Sequence, residues 1–320
     1  MKILGTGHYL PENQLSNDDL SALVDTNDEW IKARTGIRNR QIVTDENTSD
    51  LATKAARAAL KAAKIEGVAV ELVIVATSTP DVFIPGVAHQ VLKNLGISKA
   101  MAFDVNAACT GFVYAMDVAT SLMQAHGFKY GLVIGAEVMS KVIDWSDRNT
   151  CVLFGDGAGA VVLEQGQGEN QVLYTKCTAI PDVDDALISG GLTVNNPIYT
   201  EEQKPYYLSM KGQDVFKFAV ARVCESVTEA LAATDQAAEA VDYYVLHQAN
   251  SRILDYVAKK LRVPASKFYS NIADTGNTSA ASIPIVLDVM NLQGKLKRGM
   301  KIALVGFGAG LTYGTMLIEW

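Results

Sequence analysis

The sequence is short of the side chains that usually announce a metal centre or a disulfide scaffold. It has four cysteines, Cys109, Cys151, Cys177 and Cys224, and no two are closer than 26 residues. That spacing excludes a CxxC redox motif or a zinc ribbon and fits a reduced, cytoplasmic protein. Its four histidines, His8, His89, His126 and His247, are equally scattered, so no metal site is expected. No apolar run approaches the roughly 18 residues that a membrane span needs. Positive charge is also in deficit. Lysine plus arginine is 28 against 35 for aspartate plus glutamate, a net charge of −7 that argues against a general nucleic-acid binder. The opening Met1-Lys2-Ile3-Leu4-Gly5 reads as a first strand rather than a signal peptide.

What is present is an ordinary globular composition, 49% apolar and 20% charged over 320 residues. That length suggests about two domain-sized units. It is enough to bury roughly 75% of the unfolded surface without a staple.

The two units look like one unit written twice. Val70-Glu71-Leu72-Val73-Ile74-Val75 matches Val241-Asp242-Tyr243-Tyr244-Val245-Leu246 at an offset of 171. Asp117-Val118 matches Asp288-Val289, and Leu132-Val133-Ile134-Gly135 matches Ala303-Leu304-Val305-Gly306, at the same offset. Gly159-Ala160-Val161-Val162-Leu163-Glu164 then matches Gly314-Thr315-Met316-Leu317-Ile318-Glu319 at 155. The first copy therefore carries about 16 extra residues near 137–154. The expected units are 1–166 and 167–320.

Helices are expected near 48–64, 109–124, 213–232, 251–262 and 279–292. Buried strands are expected near 71–76, 130–135, 242–247 and 301–306. Such alternation predicts a layered α/β fold. Two polar stretches, 144–150 and 181–209, read as long loops of the kind that usually serve function.

Five places are candidates for chemistry or binding. Cys109 precedes an apolar-periodic helix in Asn106-Ala107-Ala108-Cys109-Thr110-Gly111-Phe112. A thiol at a helix start is expected to have a lowered pKa and to act as a nucleophile. The competing reading is a structural cysteine, as for Cys151, Cys177 and Cys224. His247 ends an apolar strand in Leu246-His247-Gln248-Ala249-Asn250, where α/β folds bind ligands. Asn277 lies in Thr275-Gly276-Asn277-Thr278-Ser279 and reads either as a helix cap or as a site residue. Subtracting the offset puts it three residues from Cys109, so a pseudo-twofold would bring Cys109, His247 and Asn277 into one cleft. Gly306-Phe307-Gly308-Ala309-Gly310 lacks the spacing of a dinucleotide or phosphate loop. As a strand-to-strand turn it is suited to aiming amides at an oxyanion. The helix at 251–262 has a basic face of Arg252, Lys259, Lys260 and Arg262, either simply solvated or a dock for an acidic partner.

Taken in order along the chain, several motifs resemble those of β-ketoacyl-acyl carrier protein synthase III. They are Asp28-Glu29-Trp30-Ile31 with Arg34-Thr35-Gly36-Ile37, Ala107-Ala108-Cys109-Thr110-Gly111-Phe112 and Phe154-Gly155-Asp156-Gly157-Ala158-Gly159. His247-Gln248-Ala249-Asn250 and Gly276-Asn277-Thr278-Ser279 complete the set. The resemblance implies the thiolase fold, with duplicated α/β halves in a five-layered αβαβα sandwich, and a homodimer. It implies that acyl-CoA, a substrate rather than a cofactor, acylates Cys109 with an acetyl or short branched group. Malonyl-acyl carrier protein would then be decarboxylated and condensed, initiating fatty-acid synthesis. His247 and Asn277 would stabilise the enolate. The amides of Cys109 and of the Gly308-Ala309 turn would hold the second oxyanion, with Phe307 shaping the cleft. Trp30 and Arg148 would stack on the CoA adenine, with Thr26 and Arg34 near the nucleotide and Gly212 and Asn250 along the pantetheine tunnel. Lys217, Arg252, Lys259 and Lys260 would dock the carrier protein.

Two departures stand out. Ala309 replaces the middle glycine of the family's Gly-Phe-Gly-Gly-Gly turn. Ile84 stands where some relatives have a phenylalanine that reaches the partner's acyl pocket. The runner-up within the fold is an acyltransferase of secondary metabolism using CoA esters. A cysteine hydrolase is the remote alternative, because Cys109 and His247 are 138 residues apart, as in papain-like enzymes. The local sequence around Cys109 does not suit it.

Overall fold

The fold is a computed structural model in which residues 1–166, 171–202 and 207–320 are described. The division at 166/167 meets residues outside the described set, as does part of the 181–209 stretch.

The first half runs β1 (Lys2–Tyr9), β2 (Gln14–Ser16), α1 (Asn17–Ser21), α2 (Asp28–Thr35), β3 (Asn39–Gln41), α3 (Thr48–Ala63) and β4 (Leu72–Ala76). It continues with α4 (Val87–Leu95), β5 (Met101–Val105), α5 (Gly111–His126), β6 (Tyr130–Glu137) and β7 (Gly157–Glu164). The second half runs β8 (Val172–Ala179), β9 (Leu187–Ser189), β10 (Leu208–Met210), α6 (Gly212–Ala233), β11 (Tyr243–Leu246) and α7 (Ser251–Leu261). It ends with α8 (Ile272–Thr275), α9 (Ser282–Leu292), β12 (Lys301–Gly308) and β13 (Thr312–Glu319).

The main sheets have orders β1-β7-β6-β4-β5 and β11-β12-β13-β8. In each, a parallel pair of strands is followed by antiparallel neighbours, as β4-β6-β7-β1 and β11-β12-β13-β8. The starts of β4 and β11, α5 and α9, and β6 and β12 each lie 171 residues apart, and those of β7 and β13 lie 155 apart. Residues 138–156 join β6 to β7, where only 309–311 join β12 to β13.

Alternate side chains assign the layers. Leu72, Ile74 and Ala76 of β4 and Ile302 and Leu304 of β12 share one central core with Phe112, Met116, Ile283 and Leu287 from α5 and α9. Val73 and Val75 face the other way, onto α3 and α4. Ala303 and Val305 face α6 and α7. The result is α, β, α, β, α, with both sheets covered on both faces, which is why their strands are continuously apolar. Each fully buried leucine, isoleucine or phenylalanine contributes about 1.5–3 kcal/mol. Gly7 lets β1 and α3 pack backbone to backbone, since a Cβ there would sit 2.3 Å from Ala59 N.

The helices expected at 109–124 and 279–292 begin later than that. Each is preceded by a 3-10 turn, Ala108–Thr110 and Ser279–Ala281. The reason is a left-handed residue in each, Ala108 at φ 45° and Ser279 at φ 49°. A left-handed residue cannot continue an α-helix. Cys109 is therefore held in a tight turn ahead of α5 rather than inside its first turn.

A fourth, smaller core caps the sheets. Leu20, Ile31 and Ile37 pack there with Met139, Ile143, Cys151, Val152 and Phe154. The fully buried Arg40 ties it together. Its guanidinium donates to Leu15 O (3.1 Å), Asn17 Oδ1 (2.9 Å) and Val152 O (2.9 Å). Burial lowers its pKa to about 10, which leaves it charged at neutral pH.

Candidate active site

One large cavity, about 1250 Å³, opens between the two sheets and the cap. Cys109, His247 and Asn277 all line it, together with Phe307, Gly308 and Ala309. So do Trp30, Arg34, Gly212, Lys217, Asn250 and Arg252. Thr26, Arg148, Lys259 and Lys260 do not form its wall.

Cys109 meets the β12–β13 turn closely enough that a Cβ on Gly308 would lie 2.9 Å from both Cys109 N and Cys109 Cβ. The thiol is buried, with Sγ 3.4 Å from Ser279 Oγ. Its helix-start position leads one to expect a lowered pKa. The opposite holds here. Burial pushes it up to about 12 and the Glu137 charge adds to this, while the hydrogen bonds with the Ser279 hydroxyl and with its own backbone amide pull it back. In the buried turn, desolvation of the thiolate outweighs the helix-end field.

His247 follows β11 directly and is 1% exposed. Its Nδ1 is 2.8 Å from Ser282 Oγ, and its ring stands edge-on to Phe307, with centroids 5.1 Å apart. Burial lowers its pKa to about 3, partly offset by the Ser279 backbone, so the imidazole is neutral. Asn277 is placed by the backbone on both sides. Its N–H donates to Leu153 O (2.9 Å), and its carbonyl accepts from Gly155 N (3.1 Å). Its Oδ1 accepts from Ser279 N (2.9 Å). That bond orients the carboxamide and leaves Nδ2 as its free donor. Asn106 makes the matching bond in the first half, accepting from Ala108 N at 3.3 Å.

At the cavity mouth the Trp30 ring has Arg34 4.3 Å and Arg148 5.1 Å from its centroid. Arg148 also donates to Asp25 O (2.8 Å). Thr26 Oγ1 is buried with no partner. Asn250 caps α7, accepting from Arg252 N (2.9 Å), and its Nδ2 donates to Arg34 O (2.9 Å), so it links the cap to the second half. Arg252, Lys259 and Lys260 are exposed on α7, but Asp255 interrupts the face; Lys217 is exposed on α6 and pairs with Asp214 at 3.5 Å. Ile84 is 88% exposed, next to Phe83 at the rim.

Sequence reasoning did not single out Glu137, Ser279 or Phe154 as site residues: Ser279 touches Cys109 and Asn277, Phe154 bridges to Asn277, and Glu137 reaches Cys109 through Ser279. Glu137 had a signal. It is a carboxylate ending an apolar strand, the same argument that singled out His247. Among the described residues no cluster of three or more His, Cys, Asp or Glu side chains is placed to hold a metal. No described helix is long and apolar enough to cross a membrane.

A cysteine, a neutral histidine and an oriented carboxamide around an amide-rich turn, on a duplicated thiolase-type fold, define a condensing acyltransferase. Comparison with known proteins gives the family. Residues 103–180 match the family described as 3-oxoacyl-(acyl-carrier-protein (ACP)) synthase III. Residues 231–320 match its C-terminal counterpart. The chain is 49% identical to the β-ketoacyl-(acyl-carrier-protein) synthase III of Clostridium novyi, covering 100% of this chain and 99% of the relative. The crystal structure of 3-oxoacyl-(acyl-carrier-protein) synthase III from Aquifex aeolicus superposes with a TM-score of 0.93 at 42% identity, covering 100% and 99% of the two chains. The priming β-ketosynthase of the R1128 polyketide pathway superposes at 0.92 with 34% identity, covering 99% of this chain and 95% of that one. The chain belongs to the β-ketoacyl-acyl carrier protein synthase III family.

Proposed function

We propose that this chain condenses a short acyl group from acyl-CoA with malonyl-acyl carrier protein, the initiating step of fatty-acid synthesis. The observation that carries the reading is the convergence of Cys109, His247, Asn277 and the Gly308-Ala309 turn on one cavity wall. Cys109 attacks the acyl-CoA thioester. A new carbon–sulfur bond forms, the old one breaks, and CoA leaves. Thioester exchange is near-neutral chemistry that a cysteine is suited to perform. The Cys109 amide and the turn amides stabilise the tetrahedral oxyanion. Malonyl-acyl carrier protein then loses CO2. The His247 imidazole and Asn277 Nδ2 donate hydrogen bonds to the enolate oxygen, and its carbon attacks the acyl-cysteine. Neutral imidazole suits this role, since it donates a hydrogen bond without surrendering a proton to the enolate. Each such donor is worth about 3 kcal/mol in a transition state.

For the CoA nucleotide we assign Trp30 and Arg148 to the adenine and Thr26 and Arg34 to its surroundings. Two stacking contacts of about 3.5 Å need a slot of about 7 Å. Arg148 lies 5.1 Å from the Trp30 centroid, so it has to swing outward, releasing Asp25 O, before adenine enters. Gly212 and Asn250 flank the pantetheine path. Lys217, Arg252, Lys259 and Lys260 receive the acidic carrier. We further assign the chain as two thiolase-like halves, 1–166 and 167–320, in a cytoplasmic homodimer whose contact covers the exposed Phe83 and Ile84. Acyl-CoA enters as substrate, and each step above uses side chains and amides of this chain.

Intact-mass analysis after acyl-CoA treatment tests the reading. One acyl adduct is expected, and Cys109→Ala should abolish it. An adduct that survives in Cys109→Ala would remove the nucleophile assigned here.

A further inference from the structure

Glu137 ends β6 beside the nucleophile, is fully buried, and takes no part in the steps above. Four groups surround its carboxyl. Thr79 Oγ1 lies 2.6 Å and Thr77 Oγ1 3.2 Å from Oε2. Ser78 N is 3.1 Å from both oxygens, and Ser279 Oγ is 3.0 Å from Oε1. Thr79 Oγ1 already accepts from Val138 N (2.9 Å), and Thr77 Oγ1 already accepts from Thr79 N (3.1 Å). The hydrogens of both hydroxyls are therefore free to go to Glu137. Every contact donates to it, which is the pattern of a carboxylate and not of an acid.

The chain continues to sulfur. Ser279 directs its hydrogen to Glu137, so its oxygen is an acceptor on the side of Cys109 Sγ, 3.4 Å away. The sequence of donors is Cys109 S–H to Ser279 O–H to the Glu137 carboxylate.

We infer that Glu137 is the resident proton acceptor for Cys109, reached through the Ser279 hydroxyl. The thiol proton passes to Ser279 Oγ as the Ser279 proton passes to Glu137 Oε1. This leaves a Cys109 thiolate, an intact Ser279 hydroxyl and a neutral Glu137. When the acyl group moves to Cys109 and CoA departs as a thiolate, the proton returns along Ser279 to the CoA sulfur. Glu137 ends the step as it began. Ser279 touches the reacting atom, and Glu137 acts through it. The inference rests on Cys109 as the acyl acceptor.

Electrostatics fits the exchange. Burial raises Glu137 above the usual carboxylate range, so the buried carboxyl can take a proton. Its charge is one of the causes holding the Cys109 thiol up, and that cause vanishes once Glu137 carries the proton. The other charged or titratable groups facing the chain are few. The Lys141 ammonium senses Glu137 together with Asp81 and Asp156. His247 remains neutral. Asp81 and Asp104 on the cavity wall are each held by backbone amides, from Ser49 and from Val87 and Ala88.

A pair sharing one proton has a distinctive pH profile. Its thiolate fraction is constant between the two macroscopic ionisations of the pair, whereas a lone thiol gains thiolate about tenfold per pH unit. The probe is iodoacetamide, which needs no acyl-CoA, so this test fails independently of the acyl-adduct test. Cys109→Ala supplies the background from the other cysteines. Alkylation of Cys109 in the wild-type protein should change less than about twofold between about pH 6 and pH 8. Ser279→Ala and Glu137→Gln should each restore a slope near tenfold per pH unit and run at least about tenfold slower near pH 6. Ser279→Ala is the safer variant for folding. The equivalent left-handed position in the first half is already alanine, Ala108. If Glu137→Gln does not fold, Ser279→Ala decides alone. A tenfold-per-unit slope in the wild type, or a flat profile that survives in Ser279→Ala, would overturn the inference.

Discussion

Asn277 holds its carboxamide with Oδ1 2.9 Å from the Ser279 N–H, so the direction of its free donor is decided by a backbone bond and not by substrate. His247 is fixed in the same way, with Nδ1 against Ser282 Oγ and its ring against Phe307. Such preorganisation is what gives an oxyanion donor its value, since no reorientation is needed when charge develops. Asn277→Asp separates the two tasks of the side chain. It keeps an acceptor for Ser279 N and replaces the donor with an oxygen that repels the enolate. The variant should still take one acyl group on Cys109. Release of labelled CO2 from malonyl-acyl carrier protein should fall by about 10²–10³. Undiminished CO2 release would remove Asn277 from the decarboxylation step. Sequence alone points to Asn277 through its repeat position. It offers no sign that the Ser279 hydroxyl touches both Glu137 and the Cys109 thiol, because those are contacts across 142 and 170 residues.

The β12–β13 connection works as an element because it is short. Three residues, 309–311, cross from one strand to the next, and Gly308 presses against Cys109. Both atoms that a new Cβ would meet at 2.9 Å belong to Cys109, one of them its backbone nitrogen, so neither can yield without moving the nucleophile. Gly308→Ala is expected to cost about 1–3 kcal/mol in urea unfolding. It should also slow acylation by more than the destabilisation alone predicts, measured as single-turnover acyl transfer to Cys109. An acylation rate within twofold of wild type would show that the turn tolerates a side chain. Ala309 is one position further along, and as a non-proline residue it keeps its backbone N–H. The equivalent β6–β7 connection is long, and this asymmetry makes the cap. Residues 138–156 pack with α1 and α2 around the buried Arg40, whose bond to Val152 O anchors the segment just before Leu153, the acceptor of Asn277 N. The extra length seen in the sequence at 137–154 thus positions Asn277, on the cavity wall.

At the scale of the whole molecule, the net charge of −7 opposes an acidic carrier, so any attraction has to be local. Lys259 and Lys260 lie on the exposed face of α7 away from the cavity wall, while Arg252 and Lys217 reach its rim. Lys259→Glu should therefore raise KM for malonyl-acyl carrier protein, with an effect that shrinks as salt is raised, and should alter acyl-CoA acylation much less. Equal losses in both half-reactions would place the carrier elsewhere. The sequence by itself determined the layered α/β class, because strands buried on both faces must be continuously apolar and the helices between them periodic. It also determined the duplication, because the shared offset of 171 is written in the chain. The tertiary structure decided the rest. Ala108 and Ser279 take left-handed turns, so the two helices start later than their apolar pattern suggests. The Cys109 thiol is raised and not lowered, because burial outweighs the helix end, and desolvation is a property of the assembled cavity. Glu137 and Ser279 join the site for the same reason: a hydrogen-bond chain between residues far apart in sequence exists only once both halves have packed together.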